Sequence, residues 1–226
     1  LKKLNHKNSA WVNNFFNEKN KYYKNRDNEA DTNSKIIQPS GLFKELREIL
    51  PKNSSVTLDA GTLCLQATDQ FYFSKPKSLF TPLDFGLVGF SFAAGLGVKL
   101  AQPNTPVFSL MGDGGFGMTV SELSTAVQHK INTITIVMNN RSWGAEKAYQ
   151  RDYYNKRYIG ADISSPPFHE LAELYGAKGY HITQLKDVKK TIKDALVCNK
   201  PAIINVEVDP KALYSFRKDS FKHRAK

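Results

Sequence analysis

Two apolar runs separated by a glycine-rich turn restrict the fold of this chain more than any other feature. Residues 107–111 predict a buried strand that leads into Gly112-Asp113-Gly114-Gly115, and residues 133–138 predict another that ends in Asn139-Asn140. Asn140 follows Asp113 by 27 residues, which is enough for one strand–helix–strand crossover. The stretch therefore predicts an α/β fold in which a carboxylate and an amide follow two strands of one sheet.

The same alternation of strand and helix patterns continues over most of the chain. Predicted strands cover residues 56–58, 78–81, 107–111, 133–138, 177–182 and 202–208. Predicted helices cover residues 41–50, 63–71, 89–101, 116–130, 145–154, 166–174 and 185–197, with Ser40 as the N-cap of the first. This order predicts a doubly wound, mainly parallel sheet with helices on both faces. Ligands of such sheets bind outside the carboxyl ends of the strands.

The first 35 residues differ in composition from the rest, since asparagine, lysine and acidic residues dominate there. Aromatic side chains at partly helical spacing predict an amphipathic helix at 8–24, and a polar linker follows to Asn33. Because this arm has no core of its own, we expect its helix to dock on the main domain or to lead in from a preceding domain. The predicted division is an arm of residues 1–35 and a main domain of residues 36–226 that ends in a basic tail.

The composition excludes several classes of protein. No apolar run approaches the roughly 20 residues that span a bilayer, and the first residues lack the apolar segment of a signal peptide. The formal net charge is +11, but no nucleic-acid motif accompanies it, so we interpret it as a solvated surface without a nucleic-acid partner. Two distant cysteines, Cys64 and Cys198, indicate reduced thiols in a cytoplasmic protein. The chain begins without methionine, which is consistent with a fragment or a processed piece of a longer product.

Asp113 and Asn140 offer the oxygen ligands that a hard cation prefers. A carboxylate, an amide oxygen and a backbone carbonyl just after Asn140 suit Mg²⁺ or Ca²⁺, and Mg²⁺ commonly bridges carboxylates to phosphates. Glycines at 112, 114 and 115 let backbone N–H groups approach an anion, beside the positive end of the next helix. The local chemistry indicates a cation with a diphosphate, although Gly-Asp-Gly by itself is also an ordinary turn.

The wider pattern resembles the cofactor motif of thiamine diphosphate enzymes. Their Gly-Asp-Gly followed by Asn-Asn is similar to residues 112–140, and Gly86-Leu87-Val88-Gly89 looks like their Gly-x-aliphatic-Gly segment. Gly61-Thr62, after the first predicted strand, is a third match in the same order. The resemblance covers residues 36–210 and implies the diphosphate-binding domain of that superfamily, with thiamine diphosphate and Mg²⁺ as cofactors.

The resemblance also implies roles for individual residues. Asp113, Asn140 and the Ser142 carbonyl would ligate Mg²⁺. The Gly86 carbonyl and the Val88 N–H would bind the aminopyrimidine, and the Val88 side chain would wedge between the two rings of the cofactor. The implied cofactor-binding set is Gly61, Thr62, Gly86, Val88, Gly112, Asp113, Gly114, Gly115, Asn140 and Gly144.

One part of the family's site has no counterpart in this sequence. These enzymes activate the pyrimidine ring with a glutamate on a separate domain, normally from a neighbouring subunit. Glu122 and Glu146 do not stand at matching positions. The resemblance therefore implies an enzyme that is incomplete without a pyrimidine-binding domain or subunit. It also implies a homodimer or higher oligomer, and it assigns no catalytic residue in this chain.

Two segments, 140–147 and 153–158, resemble sulfoacetaldehyde acetyltransferase, as does Phe216-Arg217-Lys218-Asp219 in the tail. Enzymes of that family attack sulfoacetaldehyde, expel sulfite and transfer the acetyl group to phosphate, which implies a small anionic substrate. The candidates for the substrate pocket, each of which is alternatively an ordinary packed or surface side chain, are Arg141, Trp143, Lys147, Lys156 and Arg157.

Two other functions stay open from the sequence. A relative of acetolactate synthase or of a 2-oxoacid decarboxylase would share the cofactor motif and differ in residues 141–158. A non-catalytic cofactor-binding subunit or remnant would share the motif as well, since the activating domain is missing.

Overall fold

A computed structural model of the chain describes residues 9–73, 75–82 and 84–214. Its strands in these ranges are β1 (Ser55–Leu58), β2 (Leu79–Phe80), β3 (Val107–Gly112), β4 (Ile134–Asn139), β5 (Lys178–Ile182) and β6 (Ala202–Glu207). Its α-helices there are α1 (Ala10–Glu29), α2 (Pro39–Ile49), α3 (Thr62–Gln70), α4 (Phe90–Ala101), α5 (Asp113–Thr119), α6 (Glu122–Gln128), α7 (Gly144–Tyr153), α8 (Phe168–Leu174) and α9 (Val188–Val197). A 3₁₀ turn, Leu185–Asp187, precedes α9.

The strands form one parallel, six-stranded sheet in the order β2-β1-β3-β4-β6-β5. The chain goes outward from β1 to β2 and then returns to β3 on the other side of β1, so the strand order reverses between β1 and β3. Such a reversal leaves a crevice at the carboxyl ends of the two strands, where ligands of this fold bind. The predicted doubly wound α/β fold is confirmed.

Helices cover both faces of the sheet because successive strand residues point in opposite directions. Phe108 and Leu110 belong to a core that includes α2, α3 and α9. Met111 and Val137 belong to a second core that includes α4, α6 and α8. Strands β3 and β4 are therefore buried on both faces, which explains why they appear in the sequence as continuous apolar runs.

The start of α2 differs from the prediction. Ser40 is not its N-cap, because Pro39 stands at the start of the helix and Gln38 takes the N-cap position. Proline suits the first helical turn, where its missing N–H would have no partner in any case. The Ser40 hydroxyl instead accepts a hydrogen bond from the Asp31 amide, with the atoms 3.2 Å apart. The predicted cap was wrong, and Ser40 instead binds the backbone that follows the arm helix.

The prediction of a single helix at residues 116–130 was also wrong, because the structure has two helices there. In the junction at 120–124, backbone amides bond three residues back along the chain rather than four, which tightens the turn. The first of the two helices begins at Asp113, directly after β3. This early start brings Gly114 and Gly115 into the first turn, beside the carboxyl end of the strand.

The N-terminal arm is a longer helix than predicted, and it contacts the main domain through its second half. Helix α1 runs to Glu29, through residues that we predicted as linker. Trp11 is 73% exposed and Phe15 is 53% exposed, whereas Tyr23 packs edge-on against Tyr72 with ring centroids 4.2 Å apart. The first half of the aromatic stripe therefore stays in solvent.

Within the described ranges, no helix combines the length and the apolar character needed to cross a membrane. Residue 8, where we predicted the arm helix to begin, and the basic tail at 216–226 lie outside the described residues.

Candidate functional site

A cavity of about 340 Å³ lies at the carboxyl ends of the strands, beside the reversal between β1 and β3. Its lining comes mainly from the segments that follow β1, β3 and β4 and from the turn before α4. All the predicted cofactor-binding residues are among the lining residues, namely Gly61, Thr62, Gly86, Val88, Gly112, Asp113, Gly114, Gly115, Asn140 and Gly144. The fold therefore brings together in one cavity residues that are far apart in the sequence.

The register of β3 and β4 places the predicted metal ligands at one edge of the sheet. Gly112 of β3 pairs with Met138 of β4 in parallel register, so Asp113 and Asn140 follow the ends of neighbouring strands. Ser142, two residues further on, lines the same cavity. The carboxylate, the amide and the backbone carbonyl predicted for the metal thus lie around one space.

Asp113 is a buried carboxyl group, and no lysine or arginine of the described residues lines the cavity beside it. It is 2% exposed, and the Ser165 hydroxyl donates a hydrogen bond to its Oδ2 at 2.6 Å. Burial raises the pKa of Asp113, and the hydrogen bonds from Ser165 and from backbone amides oppose that shift. A divalent cation in this place would stabilise the charged form.

Side-chain amides hold the turn that follows β4. The Asn139 oxygen accepts a hydrogen bond from the Arg141 N–H at 3.2 Å. The Asn140 oxygen accepts one from the Ser142 N–H at 3.1 Å. Asn139 also donates from Nδ2 to the buried Asn205 Oδ1 at 3.1 Å. Because Arg141 has a φ of +54°, in the left-handed region, these bonds stabilise a backbone shape that this residue seldom adopts.

Two buried hydroxyl groups in the cavity, Thr62 Oγ1 and Ser142 Oγ, have no hydrogen-bond partner within the described residues. An unpaired buried hydroxyl costs about 1–3 kcal/mol, so the cavity suits a polar ligand that pairs with them. Gly144 keeps this space open, because a Cβ there would lie 3.0 Å from Asn140 Nδ2 and 3.1 Å from Thr62 Oγ1. Together with the Asp113 carboxylate, these groups fit a cation and a phosphate-bearing ligand.

Trp143 is a predicted substrate residue that does line the cavity. Its indole ring lies against Gly114, where the Cβ of any other residue would overlap the ring. Glycine at this position therefore allows the indole to pack on the first turn of α5.

The basic candidates on α7 and the turn before it are paired outside the cavity. Arg141 Nη2 lies 3.4 Å from Glu207 Oε2, and the arginine side chain is largely exposed. Lys147 forms an ion pair with Asp162, and its Nζ lies over the ring of Tyr158 at 5.4 Å from the centroid. The sequence could not show this, because both acidic partners come from later parts of the chain.

The remaining basic candidates also lie away from the first cavity. Arg157 lines a second cavity of about 590 Å³ together with Tyr149 of α7 and two tyrosines that follow this helix, and Lys156 is exposed. No lysine or arginine of the described ranges lines the first cavity, and its charged residues are acidic, namely Asp59, Asp113, Glu146 and Asp209. Binding of an anionic substrate by these basic residues stays a prediction.

Two residues of the site were absent from the sequence-based set. Asp59 directly follows β1 and lines the cavity, and its signal was an acidic residue at the end of a predicted strand. Ser165 had no such signal, because it reaches Asp113 only through the fold, across 52 residues of sequence.

The comparison with known proteins agrees with this geometry. The family model described as "Thiamine pyrophosphate enzyme, C-terminal TPP binding domain" matches residues 59–206. The chain belongs to this family. The resemblance predicted from the motifs is therefore confirmed, and the cavity lies in the thiamine pyrophosphate-binding domain.

This chain is similar to curated sulfoacetaldehyde acetyltransferases and to acetolactate synthase large subunits. It is 32% identical over 188 residues to the sulfoacetaldehyde acetyltransferase of Castellaniella defragrans, with 81% of this chain and 31% of that protein covered. It is 33% identical over 187 residues to a probable acetolactate synthase large subunit of Methanocaldococcus jannaschii, with 80% and 32% covered. The chain spans about a third of the length of these relatives.

A solved structure has the same fold. It is the Rhodococcus jostii RHA1 thiamine diphosphate-dependent 4-hydroxybenzoylformate decarboxylase, which matches with a TM-score of 0.75 and 27% sequence identity. The match covers 81% of this chain and 34% of that one, in keeping with the length ratio of the curated relatives.

Proposed function

We propose that this chain is the cofactor-binding, C-terminal part of a thiamine diphosphate enzyme that makes or breaks a bond next to a carbonyl group. The observation that carries the proposal is the cavity between the ends of β1, β3 and β4, where the predicted cofactor residues meet. The family match over residues 59–206 supports it. Thiamine diphosphate, when bound, supplies a carbon nucleophile and an electron sink for such reactions.

Mg²⁺ and the diphosphate would occupy the part of the cavity next to β3 and β4. Asp113, Asn140 and the Ser142 carbonyl would hold Mg²⁺, which commonly bridges carboxylates to phosphates. The Thr62 hydroxyl, which is buried and unpaired within the described residues, would donate to a diphosphate oxygen. Gly114 and its glycine neighbours would let backbone N–H groups reach the other oxygens. The acidic character of the lining supports a metal-bound diphosphate rather than a bare anion.

The head of the cofactor would lie between this chain and a partner domain. The Gly86 carbonyl, the Val88 N–H and the Val88 side chain are the groups that this chain offers to the aminopyrimidine. Glu146 is exposed on α7 and belongs to this domain, so it does not take the place of the activating glutamate. We therefore assign that glutamate to a pyrimidine-binding domain or subunit, within a homodimer or higher oligomer. The length of the relatives, about three times that of this chain, supports this assignment.

Conversion of sulfoacetaldehyde and phosphate to acetyl phosphate and sulfite is the reaction that we favour. The sequence likeness of residues 140–147 and 153–158 and the 32% identity to sulfoacetaldehyde acetyltransferase support it. Acetolactate synthesis is the second candidate, because the identity to a probable acetolactate synthase is 33% over a similar length. Since no basic residue of the described ranges lines the cavity, we assign recognition of the sulfonate mainly to the partner domain.

The metal assignment is tested with Asp113→Asn and isothermal titration of thiamine diphosphate in the presence of Mg²⁺. We expect the affinity to fall on the order of tenfold or more, because a charged ligand becomes neutral. Asp194→Asn, on the exposed side of α9, makes the same change of charge and should leave the affinity unaltered. An unchanged affinity in the Asp113 variant, or an equal loss in the Asp194 variant, would refute the assignment.

The pH dependence of binding provides a further check. Burial raises the pKa of Asp113, and metal binding requires its charged form. Affinity in the wild type should therefore fall as the pH decreases through this raised pKa, at a higher pH than an ordinary aspartate would require. The Asp113→Asn variant should lack this dependence.

The reaction is tested by adding a pyrimidine-domain protein from a sulfoacetaldehyde acetyltransferase to the loaded chain. Formation of acetyl phosphate from sulfoacetaldehyde would support the favoured reaction, and acetolactate formation from pyruvate would support the second candidate. Tight cofactor binding without either product would indicate a non-catalytic cofactor-binding subunit.

A further inference from the structure

Asp59 is the second buried carboxyl group of the cavity, and it contacts backbone rather than charged side chains. It is 1% exposed and follows β1 directly. Its Oδ2 accepts a hydrogen bond from the Gly89 N–H at 3.0 Å, and its Oδ1 accepts one from the Ser91 N–H at 3.2 Å. Backbone amides of Ala60 and Phe90 stabilise its charged form as well. The carboxylate thus satisfies amides at the start of α4 that have no partner inside the helix.

The same carboxylate lies against the glycine turn after β3. A Cβ on Gly115 would overlap Asp59 Oδ2 and would lie 3.4 Å from Val88 Cγ1. The N–H of Asp59 donates to the Leu110 carbonyl of β3 at 3.0 Å, which anchors the residue to the neighbouring strand. Asp59 therefore contacts both the segment at 86–91 and the segment at 114–115.

The backbone of the segment at 86–91 needs such support. Gly86 and Gly89 have φ values of +64° and +88°, and Gly86, Leu87 and neighbouring residues of this turn are exposed. Turns of this kind have few packing contacts that hold them in one shape. The amide bonds to Asp59 attach the turn to the sheet at the point where α4 begins.

We propose that Asp59 is a positioning residue that sets the distance between the two halves of the cofactor site. It would hold Gly86 and Val88, which bind the head of thiamine diphosphate under the proposed function, at a defined place relative to the glycines at 114–115 that bind the tail. The inference rests on that proposed function. A carboxylate is needed because it accepts several N–H bonds at once, whereas an asparagine side chain turns an NH₂ donor towards some of the same amides.

The first test needs no ligand and uses hydrogen–deuterium exchange of the full chain. In Asp59→Asn, amides of the segment at 86–91 should exchange on the order of tenfold faster or more, while those of β3 and β4 keep their rates. Asp113→Asn is the matched control, because it neutralises the other buried carboxylate of the cavity and should leave exchange at 86–91 unchanged. Unaltered exchange at 86–91 in the Asp59 variant, or a uniform increase over the whole domain, would overturn the proposal.

The second test separates the head of the cofactor from its tail. Binding of thiamine diphosphate and of inorganic pyrophosphate, each with Mg²⁺, is measured by titration. Asp59→Asn should weaken thiamine diphosphate about tenfold and change pyrophosphate affinity less than about twofold, whereas Asp113→Asn should weaken both. An equal loss for both ligands in the Asp59 variant would show a general defect of the cavity and contradict the positioning role.

Failure of the proposed function would look different. If the wild-type chain binds neither ligand, the proposed function fails, while the exchange measurement still decides whether Asp59 holds the turn. If Asp59→Asn does not fold, Gly115→Ala serves in its place for the exchange measurement. Its methyl group would displace the Asp59 carboxylate and should release the same segment. Normal exchange at 86–91 in a folded Gly115 variant would then count against the proposal.

Discussion

Gly95 of α4 is a position where a helix packs so closely on the sheet that a single methyl group should have a measurable cost. A Cβ on Gly95 would overlap Ser109 Oγ and would lie 3.3 Å from Thr57 Oγ1. Both hydroxyl groups are fully buried and are bonded to each other at 3.0 Å. The Ser91 carbonyl lies within hydrogen-bond distance of both, at 2.8 Å from Thr57 Oγ1 and 3.2 Å from Ser109 Oγ, so the two hydroxyl protons are shared among these contacts. Gly95→Ala should therefore push α4 away from β1 and β3 or break this hydroxyl network.

The expected change in the free energy of unfolding is the sum of two costs and one gain. Overpacking of a well-packed core costs about 1–3 kcal/mol. Loss of a hydrogen bond by one buried hydroxyl costs about 1–3 kcal/mol more. Replacement of glycine by alanine inside a helix returns roughly 1 kcal/mol. The expected net decrease in the free energy of unfolding is about 1–5 kcal/mol, and each kcal/mol lowers the Tm by about 2–4 °C in a chain of this size.

The control lies two residues away in the same helix. A Cβ on Gly97 would meet no atom within 4 Å, so Gly97→Ala should only gain helix propensity and raise the stability by up to about 1 kcal/mol. In the double variant Gly95→Ala with Ser109→Ala, the nearest atom of residue 109 would be its Cβ, at 3.5 Å, which is an ordinary contact. Most of the cost of overpacking should disappear in that background.

Urea denaturation followed by circular dichroism gives the four free energies needed for a double-mutant cycle. Equal stability of the Gly95 and Gly97 variants would refute the reasoning. So would a Gly95→Ala cost that Ser109→Ala leaves unchanged, because the overlap with Ser109 Oγ would then not be its cause.

Two further predictions concern buried polar contacts. Asn205→Ala leaves Asn139 Nδ2 without its partner and should lower the free energy of unfolding, measured by urea denaturation, by about 1–3 kcal/mol. The control Asn132→Ala, in an exposed amide pair, should lower it by less than about 0.5 kcal/mol. Equal decreases would contradict the role of burial. Arg47→Ala removes a side chain that is 8% exposed and bonds the Gln70 carbonyl at 2.8 Å as well as Asp27 of the arm. Arg47→Ala should therefore make residues 25–35 cleavable by trypsin at a lower protease concentration. The control Lys189→Ala, which breaks exposed ion pairs, should not have this effect. The same cleavage pattern in both variants would argue against docking by Arg47.

Most of the fold could be predicted from local patterns. The apolar runs at 107–111 and 133–138 are buried on both faces, so their signal is strong. The helices between the strands predict a parallel sheet, whereas the order of its strands came from the structure. The boundaries that failed depended on backbone detail. Pro39 moved the start of α2 away from Ser40, and a tight junction at 120–124 divided one predicted helix into two.

The residues predicted to bind the cofactor meet in one cavity for the same reason, whereas some of their neighbours there were not predicted. Glycines, Asp113 and Asn140 follow the ends of strands, and in a parallel sheet those ends meet at one edge whatever the rest of the chain does. The sequence alone thus determined the fold class and the family, and it predicted many of the residues that line the cavity.

Only the tertiary structure decided what each side chain faces. Arg141 and Lys147 were sensible candidates for an anion pocket, but Glu207 and Asp162 pair with them outside the cavity. Asp59 and Ser165 belong to the site because the fold sets one against the start of α4 and the other against Asp113. The physical reason is that the position of a residue at a strand end is a local property of the backbone, whereas the direction and pairing of a side chain depend on groups that arrive from distant parts of the chain.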